Sequence, residues 1–157
     1  MTSSTSDIRD HEISVDLPPA GDAQIRFIGR IHTPWNTRAE CPRQGTPDGP
    51  ACTIELFAPW GPALQGLESL DRIEVFYWLD QARRDLAVQN PGSKGNVVGT
   101  FALRSPVRPN PIGVALVRLD SIDGMVLTVR GLDCLNGTPL IDIKPERCAF
   151  SPEAWRK

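Results

Sequence analysis

In Gly99-Thr100-Phe101-Ala102-Leu103-Arg104-Ser105-Pro106-Val107-Arg108-Pro109-Asn110-Pro111-Ile112-Gly113, three prolines stand close together. Proline fixes φ and removes a backbone donor, so this segment is neither a helix interior nor a central strand. The residue before each proline is pushed towards an extended conformation as well. Apolar runs flank the segment, 97–103 on one side and 112–119 on the other. The pattern predicts a stiff, extended connection between two buried strands, with Arg104, Ser105, Arg108 and Asn110 presented from it. An ordinary proline-rich turn satisfies the same composition, because turns and sites both occur in loops.

Outward from this segment the chain reads as short strands. On the C-terminal side, 113–119 is a strand, Asp123-Gly124 a hairpin turn and 125–132 the returning strand. Asn136-Gly137 marks a second turn, and 139–143 a last short strand. On the N-terminal side, 96–103 is expected to be a strand and 81–88 a short helix before the turn at Asn90-Pro91-Gly92. Ile73, Val75, Tyr77 and Leu79 alternate with Glu74, Phe76 and Trp78, which predicts a half-buried strand. Further back, 63–70 reads as a short helical piece and 52–57 as a strand. In 24–31, Ile25, Phe27 and Ile31 fall on one face at period two. Between these, 33–50 is loop by composition, and loops longer than about 15 residues are often functional. His11 to Val15 alternates and suits an edge strand.

Many short strands between Gly and Pro turns, without long helices, predict a mainly β, single-domain antiparallel barrel with short helical pieces and long loops. The expected division is a tail with a possible edge strand over 1–22, the barrel over 23–150 and a C-terminal tail over 151–157.

Bulk properties narrow the function classes. Hydrophobic content of 40% and charged content of 23% suit a globular protein. A net charge of −2 means that nucleic-acid contact has to come from a local basic patch, for which Arg104, Arg108, Arg118 and Arg130 are candidates. No apolar run is long enough to span a membrane, and 1–10 lacks an apolar signal core. A cytoplasmic protein is therefore expected. Cys41, Cys52, Cys134 and Cys148 show no metal-ligand spacing, and only His11 and His32 accompany them. No metal site is expected, and the cysteines read as reduced thiols. No GxGxxG loop opens a helix, so the usual Rossmann route to a nucleotide is absent.

Three ordered motifs carry a resemblance. Ile28-Gly29-Arg30-Ile31-His32-Thr33-Pro34 leads to Pro42-Arg43-Gln44. Arg104 to Gly113 follows, and then Asp133, Asn136-Gly137-Thr138-Pro139 and Asp142-Ile143-Lys144-Pro145. Together they resemble the TrmO/TsaA (YaeB-like) family of S-adenosylmethionine-dependent methyltransferases, over roughly residues 25 to 145. The family has a β-barrel fold. Its described activity is N6-methylation of threonylcarbamoyl-adenosine at position 37 of certain tRNAs.

The resemblance implies S-adenosylmethionine as cofactor, tRNA as partner and a homodimer. It implies a cofactor pocket lined by Pro42, Arg43 and Gln44, by Asn136, Gly137, Thr138 and Pro139, and by the strand near Leu116. An arginine suits the cofactor's carboxylate, and a tight turn lets backbone approach its adenine edge. Arg104 and Arg108 are candidates for the cofactor or for RNA phosphates. Asp71-Arg72 stands where the family usually has Ser-His, and is a further candidate contact. Removing the N6 proton calls for a base, and Asp142 and Asp133 are the carboxylates nearest the motifs. Asp142 near Lys144 equally suits a structural ion pair. Trp35, Trp60 and Trp155 are candidates for base stacking, although large aromatics are more often core.

This chain departs from the family pattern in several places. Ala102-Leu103-Arg104 replaces Ala-Thr-Arg, Asn136 replaces Asp, and Glu146 stands where a Tyr is expected. The C-terminal extension of longer relatives is expected to be lacking after Lys157. Two alternatives stay open: a methyltransferase of the same fold acting on a small molecule, and a non-enzymatic S-adenosylmethionine-binding protein.

Overall fold

Strand alternation in the sequence becomes barrel wall in the structure. The computed structural model describes residues 8–19, 21 and 23–147. Among the described residues there are nine strands: β1 (Ile13–Ser14), β2 (Gly29–His32), β3 (Ala51–Leu56), β4 (Arg72–Trp78), β5 (Leu86–Gln89), β6 (Val98–Gly99), β7 (Ile112–Asp123), β8 (Val126–Arg130) and β9 (Pro139–Pro145). The described residues form two compact units, one from those up to Gln24 with Leu79–Ile112, the other from Ile25–Trp78 with those from Gly113 to Arg147.

The second unit is a closed six-stranded barrel in the order β2-β3-β8-β7-β4-β9. The pairs β2–β3, β3–β8, β7–β8 and β4–β9 are antiparallel. Inward positions follow the period-two pattern: Ile31, Ile54, Ile73, Val75, Leu127, Val129 and Leu140 are completely buried. The predicted hairpin at Asp123-Gly124 is present, with Gly124 at φ 60° as a tight two-residue turn requires. The helical piece expected over 63–70 is two 3-10 turns, Gly61–Leu64 and Leu67–Ser69.

The first strand of the barrel is shorter than expected. It begins at Gly29, and Ile25 and Phe27 are exposed rather than facing the core. Phe27 instead lies tilted against Trp78, ring centroids 6.4 Å apart.

The first unit holds a three-stranded sheet, β1-β5-β6. Two expectations fail here. The helix over 81–88 is absent, because Gln81 to Asp85 alone is too short to repay helix nucleation. Leu86–Gln89 is a strand, paired with β1 and β6. The strand over 96–103 shrinks to Val98–Gly99, followed by a 3-10 turn at Thr100–Ala102. The buried Thr100 hydroxyl donates to Leu86 O at 2.5 Å and holds the turn by its side chain. Val97, Val98 and Phe101 are left exposed, so the proline segment does not follow a buried strand. No helix of the described residues is long and apolar enough to cross a membrane. Cys148, Trp155 and the tail over 151–157 lie outside the described residues.

Candidate functional site

In the barrel unit, glycines let three distant segments touch. A Cβ on Gly45 would collide with the carbonyl of Gly131 and stand 2.9 Å from that of Leu132. A Cβ on Gly131, whose φ is 114°, would meet Leu116 O at 3.3 Å, the Val117 Cα at 3.5 Å and Thr46 O at 3.6 Å. The loop carrying Pro42, Arg43 and Gln44 therefore runs against the segment leading to Asp133, beside Leu116 of β7. Arg43 and Gln44 are exposed, and neither side chain has a partner among the described residues. Leu116 is exposed as well.

The segment 133–138 is fastened to the end of β2 and the residues after it. Asn136 N donates to Trp35 O at 2.7 Å, and Gly137 N to Ile31 O at 2.8 Å. Thr33 Oγ1 donates to Cys134 O at 2.8 Å, and Thr33 N to Asn136 Oδ1 at 3.2 Å. Arg30 Nη1 donates to Gly137 O at 3.0 Å. Gly137 has φ 85°, which a side chain would disfavour. Thr138 and Pro139 are buried, with the Thr138 hydroxyl donating to Leu135 O at 2.7 Å.

Asp133 is oriented by a residue that sequence reasoning did not single out. The hydroxyl of the buried Tyr77 donates to Asp133 Oδ1 at 2.7 Å. Gly113 makes room for the ring, since a Cβ there would collide with it. The glycine that ends the proline motif was the available signal; its partner stands 36 residues earlier and only register reveals it. Asp133 also acts on nearby thiols. Burial first and its charge second push the Cys134 thiol up to about 12 and raise that of Cys41.

Other candidates lie elsewhere in the same unit. Ile73 pairs with Pro145 and Tyr77 with Leu140, so Asp71-Arg72 is at the far end of β4 from Asn136–Pro139. Arg72 forms an ion pair with Glu146 at 2.7 Å. Asp142 lies opposite Phe76, out of phase with the core-facing pair Val75–Ile143. Its Oδ1 accepts from Lys144 Nζ at 3.1 Å and from Ile143 N at 2.9 Å. Trp35 and Trp60 are half-buried. Among the described residues no group of three or more His, Cys, Asp or Glu side chains could hold a metal.

In the first unit the two arginines of the proline segment differ. Arg108 donates from Nε to Ser105 O at 2.8 Å, from Nη2 to Arg104 O at 3.0 Å and from Nη1 to Ile112 O. It is occupied in shaping its own loop. The Arg104 guanidinium is exposed and has no partner among the described residues.

Residues 30–150 match the family model of the tRNA-methyltransferase O N-terminal domain. The chain is 48% identical over 147 residues to a probable S-adenosyl-L-methionine-binding protein, VirR, of Rhizobium radiobacter, across 94% of this chain and 84% of that one. It is 35% identical over 133 residues to the tRNA (adenine(37)-N6)-methyltransferase of Escherichia coli K12, across 78% of this chain and 57% of that one. The crystal structure of TrmO from Pseudomonas aeruginosa superposes with a TM-score of 0.66 at 30% identity, across 85% of this chain and 61% of that one. The chain thus spans less than two thirds of the Escherichia coli enzyme and of the solved TrmO chain.

Proposed function

The chain belongs to the tRNA-methyltransferase O N-terminal domain family, and from that premise we propose that it binds S-adenosyl-L-methionine at the Gly45–Gly131 corner and methylates N6 of threonylcarbamoyl-adenosine at position 37 of tRNA. One observation carries the reading: an unengaged Arg43 and Gln44, an exposed Leu116 and the oriented Asp133 all belong to segments that touch at two glycines.

The residues of this corner fit the cofactor's chemistry. Arg43 offers a guanidinium fork for a carboxylate. Leu116 offers apolar surface, and Gln44 an amide for a heterocycle edge. When bound, the cofactor supplies a methyl group on a positively charged sulfur, an electrophile for which alignment matters most. Asp133, with Oδ1 fixed by Tyr77, keeps Oδ2 to accept a proton from the acceptor nitrogen. Asp142 is the weaker candidate, because Lys144 and Ile143 N already engage its Oδ1. In this reading the protein is a cytoplasmic homodimer that acts on tRNA.

A second reading keeps the cofactor and changes or removes the acceptor. The net charge of −2 and the binding-protein name of the 48% identical relative favour it.

Titration calorimetry with S-adenosyl-L-methionine tests the shared part, and Arg43→Ala is expected to weaken binding about tenfold or more. Unchanged affinity removes Arg43 from the site. Mass spectrometry of tRNA from cells with and without the protein separates the two readings. N6-methylated threonylcarbamoyl-adenosine that tracks the protein supports the first, and its absence supports the second.

A further inference from the structure

Phe101 is 92% exposed, the most exposed large apolar side chain among the described residues. Its backbone is held in place by the turn around it. It sits in the middle of the 3-10 turn Thr100–Ala102, whose first residue is buried and accepts from Gln89 Nε2 at 3.1 Å while donating to Leu86 O. Leu103 N closes the turn on Thr100 O at 3.3 Å. A benzyl ring held open to water costs hydration free energy unless something covers it.

The charge around it points to what that something is. From Leu86 to Ile112 the chain has no Asp or Glu, and it carries Lys94, Arg104 and Arg108. Arg108 is turned inward on its own loop carbonyls, whereas Arg104 and Lys94 are exposed and unpaired among the described residues. Of the acidic residues described in the same unit, Asp85 is paired with Arg83 at 2.7 Å, Glu12 accepts from the backbone of Arg9 and Asn90, and Asp10, Asp16 and Asp80 are exposed and lie outside the stretch from Leu86 to Ile112. Phe101 and Arg104 are three residues apart, which limits their Cα separation to about 11 Å. An exposed ring three residues from a free guanidinium, in a stretch free of carboxylates, matches the way unpaired bases are held: stacking on an aromatic, with a cation on the phosphate.

We propose that Phe101 and Arg104 form a docking surface for single-stranded RNA, with Phe101 stacking on an unpaired base and Arg104 neutralising a backbone phosphate. The proposal rests on the reading of tRNA as acceptor. It names an aromatic distinct from the tryptophans, of which Trp35, Trp60 and Trp78 are half-buried.

The test uses the full chain and two RNAs, an anticodon stem-loop and the same stem closed without its loop, titrated over a salt series. The wild-type protein is expected to prefer the stem-loop. Phe101→Ala is expected to lose about tenfold to hundredfold in stem-loop affinity, with S-adenosyl-L-methionine affinity unchanged. Arg104→Gln is expected to lower the slope of log affinity against log salt by about 0.7, the value for one phosphate on a single strand. Sedimentation of Phe101→Ala supplies the control. If that variant binds RNA normally but changes oligomeric state, the ring is covered by a second copy and the proposal fails. It also fails if Arg104→Gln weakens cofactor binding and leaves the salt slope intact. Cofactor binding with no RNA preference overturns this surface alone; a Phe101-dependent RNA preference without cofactor binding overturns the earlier reading alone.

Discussion

Two irregular segments of this molecule solve the same problem with opposite chemistry. In Thr33–Pro50, of the barrel unit, one carboxylate meets several donors of a single turn. The carboxylate of Glu40 accepts from Asn36 N at 2.9 Å, from Thr37 N at 2.7 Å and from the Thr37 hydroxyl at 3.0 Å. In Arg104–Ile112, of the first unit, prolines have removed donors, and carbonyls are left over. Cationic and amide side chains meet them: Arg108 takes three, Arg84 Nε donates to Pro109 O at 2.7 Å, and Gln89 Nε2 donates to Val107 O at 3.2 Å. A carboxylate gathers orphan N–H groups and a guanidinium gathers orphan carbonyls. The motif Arg-Pro-Asn-Pro thus reads as a structural pairing, an arginine that supplies the donors its prolines lack.

The largest expected effect separates steric from polar fastening. Gly45→Ala places a Cβ against backbone carbonyls that no rotamer change can move. It is expected to destabilise the protein by about 2–3 kcal/mol and to abolish S-adenosyl-L-methionine binding. Urea unfolding and calorimetry check this, and a loss under 0.5 kcal/mol would show that the two strands of backbone separate freely. Arg108→Ala comes next. It strips three partly exposed carbonyls of their donor, for an expected loss of about 1–2 kcal/mol. Arg108→Lys should recover little of it, since one ammonium cannot reproduce a planar fork. If lysine restores full stability, charge rather than geometry holds the proline segment.

The barrel was legible because its signal is local. Ile73, Val75 and Tyr77 alternate, Leu127 and Val129 alternate, and Asp123-Gly124 announces a turn, all within a few residues of one another. The failures have the same origin in reverse. Gln81–Asp85 has helix-forming side chains but too few of them, and the pairing that claims Leu86–Gln89 comes from β1, more than seventy residues away. The candidate site was visible through resemblance alone, as three motifs in order. No local pattern states that Gly45 meets Gly131, or that Tyr77 reaches Asp133. The choice between Asp133 and Asp142 is likewise a matter of register. Both sit in the same motif, and only the pairing of Phe76 with Asp142 places the latter out of phase with the core.

The smallest effect is the one most specific to the carboxylate side of the comparison. Three donors from Thr37 and Asn36, led by the Thr37 backbone N–H, hold the Glu40 carboxyl below its ordinary value of 4.5. A depressed acid stabilises the folded loop above that ordinary value, and the contribution is lost as pH falls through the lower folded value. Hydrogen exchange at Asn36 and Thr37 should therefore stay protected at neutral pH and open on acidification below about 4.5. Glu40→Gln keeps an acceptor oxygen but no charge, so its amides should exchange faster at neutral pH and respond little to acid. The proline segment supplies the internal reference, because its clasp is a guanidinium that does not titrate in this range. If Ile112 N, bonded to Asn110 O at 2.7 Å, opens in step with Asn36, the acid response belongs to the whole fold rather than to Glu40.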